Sequence, residues 1–438
     1  MSVEEREPQL ELSHLSILLV SPEYPPMPGG VGRYTHNLKT HLARKGVQVS
    51  VVCDSRCHGD YSGISQHNPR NSEVLLEIVE RLNPDLIHVQ YEPGLYGLKL
   101  DPLNPARSCT NIDSFYEHCK VPIITTFHSV YPFGQWMNLP IPNYELVTDP
   151  PLLRKIKHLA SFWTRLINYR SFLMLNRRKL AQSVAGIAFS EFTSQLLGSD
   201  GKCHMILHGA EKQGESDQKS KTELRDSFSI SDHGRVALAL GYATKTKGWD
   251  IMENMPIPKG WTIVVNGSRN EYSHETPPSI KERKNLVILH KDFLNEEQLS
   301  ELFSCADAVI LPYKVSTGSG IMFDGLSYGL PFVATDLGFF KEFALKGLGI
   351  TVERKAAAFS KALKDLDLHY EEYSKVAVEF RKNLSWQEVA KQHVQLYLDC
   401  LLTRRQLPRI HAEEGAVLVE SRRTATTSPS SRATSDRS

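Results

Sequence analysis

The chain has 438 residues, 41% hydrophobic and 23% charged side chains, and a formal net charge of +1. That length exceeds one compact core and predicts two domains with extensions, while the near-neutral balance excludes bulk electrostatic binding of nucleic acid. Seven scattered cysteines, with only Cys53 and Cys57 in a CxxxC spacing, offer no second pair at zinc spacing and read as reduced thiols of a cytosolic protein.

The acidic, polar start over 1–13 reads as an extension, not a secretory signal, and no apolar run reaches the length of a membrane span. Leu15–Val20 is a continuous apolar run and predicts a buried parallel strand. A proline- and glycine-rich turn, Ser21–Gly32, leads to a predicted helix over Arg33–Lys45. Strands are expected at Val47–Cys53, Asp85–Val89, Val121–Phe127, Ala185–Phe189 and Met205–Leu207, with a helix at Val74–Leu82. The polar stretch Gly209–Ser231 predicts a linker with a short helix. The alternation then restarts at Val236–Leu240, Trp261–Asn266, Leu286–Leu289, Ala308–Leu311, Phe332–Ala334 and Ile350–Val352. A last helix is expected over Trp386–Leu402, and a tail over 406–438, Ser/Thr/Arg-rich at Thr424–Ser438, is expected to be disordered. Alternating strands and helices imply an α/β protein of two facing, doubly wound, Rossmann-like domains, 14–210 and 211–384.

Ligands bind beyond the carboxyl ends of strands in such sheets, and the polar loops stand there. Gly29, Gly30 and Gly32 follow the first strand, where bare backbone N–H groups can approach a phosphate or sugar, although a tight Pro/Gly turn has the same composition. Gly241, Tyr242 and Lys247 follow Val236–Leu240, with Lys245 as a rival lysine; a flexible ammonium there can neutralise a leaving diphosphate. Ser316, Gly318, Ser319, Gly320 and Asp324 follow Ala308–Leu311. His128 ends a strand, and Glu92 follows another; a capping carboxylate is the plain alternative for Glu92.

Taken in order, PPMPGGVGRYTHNL, PDLIHVQYEPGLYG, ITTFHSVYP, IAFSE, ILHGAE, KG at Lys247–Gly248 and SGIMFDGLSYGLPFVAT make the chain resemble the retaining glycosyltransferases of family 4, with the GT-B fold, over about residues 14–405. The resemblance implies an N-terminal acceptor domain, a C-terminal nucleotide-sugar domain and a crossover helix, 385–405, packing back on the former. It implies that the glycine loop faces donor diphosphate and acceptor, that Lys247 holds phosphate, and that Asp324 holds ribose hydroxyls. His128 would donate a hydrogen bond to the transferred sugar, with Glu92 and Arg33 near the acceptor.

Tyr242 stands where many members carry arginine, and Arg33 is a substitute phosphate partner. Ser316 stands where they carry the first glutamate of their pair, with Thr317–Gly320 supplying N–H donors and hydroxyls. Ser190 and Glu191 order the cleft in this reading, and His208 and Gly209 are structural. The implied reaction moves a hexosyl group from a GDP- or UDP-linked sugar to an acceptor hydroxyl with retention, without metal or resident cofactor. A silent nucleotide-sugar-binding module and a phosphorylase or synthase are the rival readings, with Tyr242 and Ser316 supporting the former.

Pro150–Ser190 contains no acidic residue but carries Arg154, Lys155, Lys157, Arg165, Arg170, Arg177, Arg178 and Lys179. Leu152, Ile156, Leu159, Trp163 and Leu166 recur at helical spacing, opposite Arg154, His158 and Arg165. Such a helix either buries its apolar face in the domain or contacts anionic headgroups or a lipid-linked acceptor at a membrane surface through 152–179.

Overall fold

A computed structural model describes residues 12–139, 151–198, 201–212, 219–231, 233–269 and 280–403, with the helix backbone alone at 151–159 and 161. Most of the N-terminal extension and all of the expected tail, 406–438, lie outside the described residues. By internal contact the chain divides into two units, Met1–His393 and Val394–Ser438. Both sheets belong to the first; the described part of the second, 394–403, is helical.

The first sheet contains β1 (Ser16–Val20), β2 (Gln48–Cys53), β3 (Tyr61–Ser62), β4 (Leu86–Tyr91), β5 (Ile123–Phe127), β6 (Ala185–Ala188) and β7 (Cys203–Met205), in the order β3-β2-β1-β4-β5-β6-β7. The second contains β8 (Arg235–Tyr242), β9 (Trp261–Ser268), β10 (Leu286–Ile288), β11 (Ala308–Leu311), β12 (Phe332–Thr335) and β13 (Gly349–Val352), in the order β10-β9-β8-β11-β12-β13. Neighbouring strands within each sheet are parallel. Two Rossmann-like sheets of this order are what the GT-B resemblance implies.

Apolar runs, interrupted in β4 by His88 and Gln90 and in β5 by Thr125 and Thr126, explain the central strands. Every residue of β4, β5, β6, β11 and β12 is buried, because helices cover both faces of a parallel sheet. Leu18, Val20, Ile87, Val89 and Ile123 pack with Leu75, Phe115 and Tyr96 in one core, and Ala237, Ile263, Val265, Ile310 and Val333 pack with Trp249, Phe359 and Leu363 in the other. Each fully buried Leu, Ile, Val or Phe contributes about 1.5–3 kcal/mol.

Differences from the sequence reading are local. The first helix, Gly30–Arg44, starts three residues early because the glycines form its first turn. The two-residue edge strand β3 has no counterpart in the sequence reading, since nothing in Tyr61–Ser62 alternates. β7 is Cys203–Met205 instead of Met205–Leu207. The short helix inside the polar stretch is Lys221–Ser227, begun by a capping box in which Ser220 accepts from the Glu223 N–H and the Glu223 carboxylate accepts from the Ser220 N–H.

Candidate functional site

The crevice of an open α/β sheet lies where strand order reverses. Reversal falls between β1 and β4 in the first sheet and between β8 and β11 in the second. The glycine loop follows β1, Glu92 follows β4, Lys247 follows β8, and Ser316–Asp324 follows β11. Four loops chosen for their chemistry therefore leave the four strands flanking the switch points, and His128 leaves neighbouring β5.

In the second lobe the two loops are joined. Gly248 has φ 77°, and a Cβ there would stand 1.8 Å from the Pro312 carbonyl oxygen, so only glycine permits the approach. The Lys314 N–H donates to Thr246 O at 2.8 Å. Lys247 Nζ consequently lies 3.9 Å from the centre of the Tyr313 ring, with its stem along Gly241. The Tyr242 carbonyl accepts from the Trp249 indole N–H at 3.0 Å, fixing the turn. Lys245 begins the same short turn, Lys245–Lys247.

The loop after β11 is buried under the first lobe. The Ser316 N–H donates to Gln135 Oε1 at 2.7 Å, and its hydroxyl to Gly318 O at 2.8 Å. Thr317 Oγ1 accepts from the Val130 N–H at 3.2 Å, and its carbonyl from the Thr193 hydroxyl at 3.1 Å. Ser319 caps the helix Gly320–Ser327 by accepting from the Met322 N–H. Gly318 stands against Phe189 and the His128 carbonyl, and Gly320 against His208.

The glycine loop holds a carboxylate of its own. Glu23 Oε2 accepts from the Val31 and Gly32 N–H groups at 2.9 and 3.0 Å, and a Cβ on Gly29 would fall 1.7 Å from the Glu23 carboxyl carbon. A helix N-terminus favours an anion, and here the protein provides one. Glu23 is absent from the residues expected at the site, although it is the only acidic residue between Leu12 and Cys53.

Arg33, one turn further, bridges the lobes. Its Nη1 lies 2.6 Å from Asp324 Oδ2, and its Nε and Nη2 lie 2.7 and 2.9 Å from the two oxygens of Glu296. Asp324, foremost, and Glu296 push the guanidinium pKa up against the opposing cost of burial. Asp324 itself is almost fully buried. Glu296, at the start of helix Glu296–Cys305, carries no signal in the sequence.

His128 donates its backbone N–H to Tyr91 O at 3.0 Å, and its Nε2 lies 3.0 Å from Gln90 Oε1. Burial, assisted by neighbouring His208, lowers its pKa to about 3, so the ring is neutral. Its ring packs edge-on against Tyr34 and Phe189. His208 lies between Tyr34 and Phe323 of the opposite lobe, stacked parallel on the latter. Glu92 accepts from the Gly94 N–H at 3.5 Å as the cap of a short turn; burial raises its pKa and a bond from Ser129 opposes the rise. Ser190 caps helix Glu191–Leu197 by accepting from the Thr193 N–H at 3.1 Å. Gly209 lies against the Trp386 ring, which a Cβ would meet at 2.4 Å.

The basic segment is one helix, Pro151–Gln182. The side chains of 151–159, and so of Leu152, Arg154, Lys155, Ile156, Lys157, His158 and Leu159, lie outside the described residues. Beyond them the helix exposes apolar residues over 162–167 and buries Phe172, Leu175 and Leu180 further along. Trp163 and Leu166 face solvent with Phe162 and Ile167, whereas the Arg165 guanidinium bonds the Met137 carbonyl. Arg170 and Arg177 are exposed, and Arg178 and Lys179 pair with Asp113. All seven cysteines are free, and no group of three metal-ligating side chains gathers among the described residues.

Residues 28–209 match the family described as Glycosyltransferase Family 4. No curated protein sequence matches the chain at a significant level. Among solved structures it resembles sucrose-phosphate synthase from Thermosynechococcus elongatus, at 15% identity and a TM-score of 0.62 over 89% of this chain and all (100%) of that one. A glycosyltransferase from Rickettsia africae follows at 15% identity and TM-score 0.59, covering 88% of this chain and 98% of that one. Anabaena HepE, solved with UDP and glucose, matches at 12% identity and TM-score 0.55, over 88% and 100%. The fold is that of the GT-B glycosyltransferases, and the similarity to Glycosyltransferase Family 4 covers residues 28–209.

Proposed function

We propose that the chain is a hexosyltransferase that moves a mannose- or glucose-type sugar from a nucleotide sugar to an acceptor hydroxyl with retention. The joined loops after β8 and β11 carry this reading, because they bring Lys247 and the Ser316–Asp324 segment to one switch point opposite the His128 strand end. HepE, of the same fold, was solved with UDP and glucose. In the reaction the acceptor oxygen attacks the anomeric carbon on the face that the diphosphate leaves, and the acceptor proton passes to the departing phosphate oxygen. Lys247 then neutralises the diphosphate, Asp324 holds the ribose, and positioning with charge stabilisation supplies the rate. Glu92 serves the acceptor, Arg33 turns to the acceptor when the ribose takes Asp324 from it, and no metal takes part.

Calorimetry with GDP-, UDP- and ADP-sugars tests the reading. One nucleotide sugar should bind, and Lys247→Ala should weaken it by about tenfold or more, roughly 1.4 kcal/mol. Absence of binding to all three would favour the silent-module reading, and phosphate-dependent cleavage of a glycoside without nucleotide would favour the phosphorylase.

The exposed Phe162, Trp163, Leu166 and Ile167, on a helix within a 41-residue stretch (150–190) lacking acidic side chains, support docking at the cytosolic surface of an anionic bilayer. No described helix is long and apolar enough to cross a membrane. The protein should co-sediment with vesicles containing phosphatidylserine and not with neutral ones, and the double variant F162S/W163S should lose most of that binding. Equal sedimentation of the variant would end the docking proposal.

A further inference from the structure

Gln90, near the end of β4, is fully buried between two imidazoles. Its Oε1 lies 3.0 Å from His128 Nε2, and its Nε2 lies 3.2 Å from His88 Nε2. Thr126 Oγ1, opposite Gln90 in the β4–β5 register, lies 2.7 Å from the same His88 nitrogen. A primary amide is a one-way device, because its oxygen only accepts and its nitrogen only donates. With the oxygen toward His128, His128 Nε2 must carry the proton; with the nitrogen toward His88, His88 Nε2 must present its lone pair.

The His128 ring itself is held in place. The His128 N–H is held by Tyr91 O, and its ring is wedged against Tyr34 and Phe189. Among the described residues no protein group bonds His128 Nδ1. The titratable groups around this cluster are His88, Tyr34, His208 and His393, and burial keeps the four imidazoles, His128 among them, in their neutral form. In a neutral imidazole the location of the single proton decides what the ring can offer a ligand.

We infer that Gln90 is a positioning residue for His128, holding it as the Nε2–H tautomer so that Nδ1 faces the cleft chemistry as a hydrogen-bond acceptor. In the glycosyl-transfer reading, on which this last part rests, His128 then receives a hydrogen bond from a hydroxyl of the transferred sugar instead of donating one. The acceptor role differs from the donor role that the family resemblance implies.

Long-range proton–nitrogen spectra of the full chain with labelled histidine read the tautomer directly, with His128 assigned by His128→Asn. The wild type should show the Nε2–H form, Gln90→Met should introduce the Nδ1–H form, and Gln90→Glu should raise the His128 pKa by roughly 1–3 units through the new carboxylate. An Nδ1–H ring in the wild type, or spectra unchanged in both variants, overturns the inference. If Gln90→Met fails to fold, the near-isosteric Gln90→Glu still decides it. These spectra need no nucleotide sugar, so they test the tautomer independently of the proposed function. Where a donor binds, Gln90→Met should lower kcat for donor hydrolysis by about tenfold or more with donor affinity nearly unchanged; equal kcat would remove the catalytic half of the inference.

Discussion

Between about pH 6 and pH 5 the protein should lose about 5 kcal/mol of folding stability through its histidines. His88, His128, His208 and His393 surround Tyr34 and one another, with ring centres 5.0 Å apart for Tyr34–His208, 5.5 Å for Tyr34–His128 and 5.6 Å for His88–His393. The Tyr34 hydroxyl lies 3.2 Å from His393 Nε2. Burial is the leading cause in each case: it lowers His128 to about 3, His208 and His393 to about 4, and His88 well below its ordinary value. Positive neighbours add to the effect, with Arg33 acting on His208.

The folded chain thus binds fewer protons than the unfolded chain once pH falls below about 6.5. Stability is fully present above that value and is lost as pH drops toward the folded pKa values, by up to about 1.4 kcal/mol per pH unit and per histidine. Glu92, whose pKa is raised, works in the opposite direction, but it is one group against four. Urea unfolding at about pH 7, 6 and 5 measures the slope. A midpoint that stays flat across this range would sink the prediction, and His393→Gln should remove about a quarter of the pH dependence.

Replacing Asp113 with alanine should cost about 3–5 kcal/mol, because it strands a buried ammonium. Lys179 is 0% exposed, with its Nζ 2.9 Å from Asp113 Oδ1 and 4.2 Å from the centre of the Tyr116 ring. Burial drags the lysine pKa down to about 8 against the pull of Asp113. The same carboxylate accepts from the Thr110 N–H and hydroxyl at 2.9 and 2.6 Å and from Arg178. It ties the start of helix Asp113–His118 to the end of the long helix Pro151–Gln182. The double variant D113A/K179M should recover part of the loss, since it removes the stranded charge as well as its partner. Denaturant unfolding at neutral pH decides the matter, and a loss below about 1 kcal/mol for Asp113→Ala would refute the account.

Much of this architecture is legible because parallel strands covered on both faces are written as unbroken apolar runs, and LSILLV, VALAL and AVILP stand out from the helices between them. The polar loops are legible as segments beyond the carboxyl ends of those strands, but that they leave the strands flanking the switch points follows from a strand order that no local pattern encodes. The partners within the cleft are not legible. Arg33 and Asp324 are separated by 291 positions, and Ser316 and Gln135 by 181, so no local pattern couples them. Gln90 is silent because a glutamine inside a strand has no periodic signature, and Glu23 because the adjacent glycines suggest an external anion. The long helix shows another limit. Its apolar spacing would be the same whether Trp163 were buried or exposed, and which face turns outward follows from tertiary contacts: Phe172, Leu175 and Leu180 enter the core, and Arg165 bonds the Met137 carbonyl.

The Arg33 bridge makes binding at Asp324 an exchange reaction. A ligand that recruits this carboxylate must take over from a guanidinium already 2.6 Å away, while Glu296 retains the other side of that guanidinium. Apparent affinity is therefore the difference between two sets of contacts, one to the ligand and one between the lobes. The same residues that would recognise a nucleotide also set the reference state against which its recognition is measured.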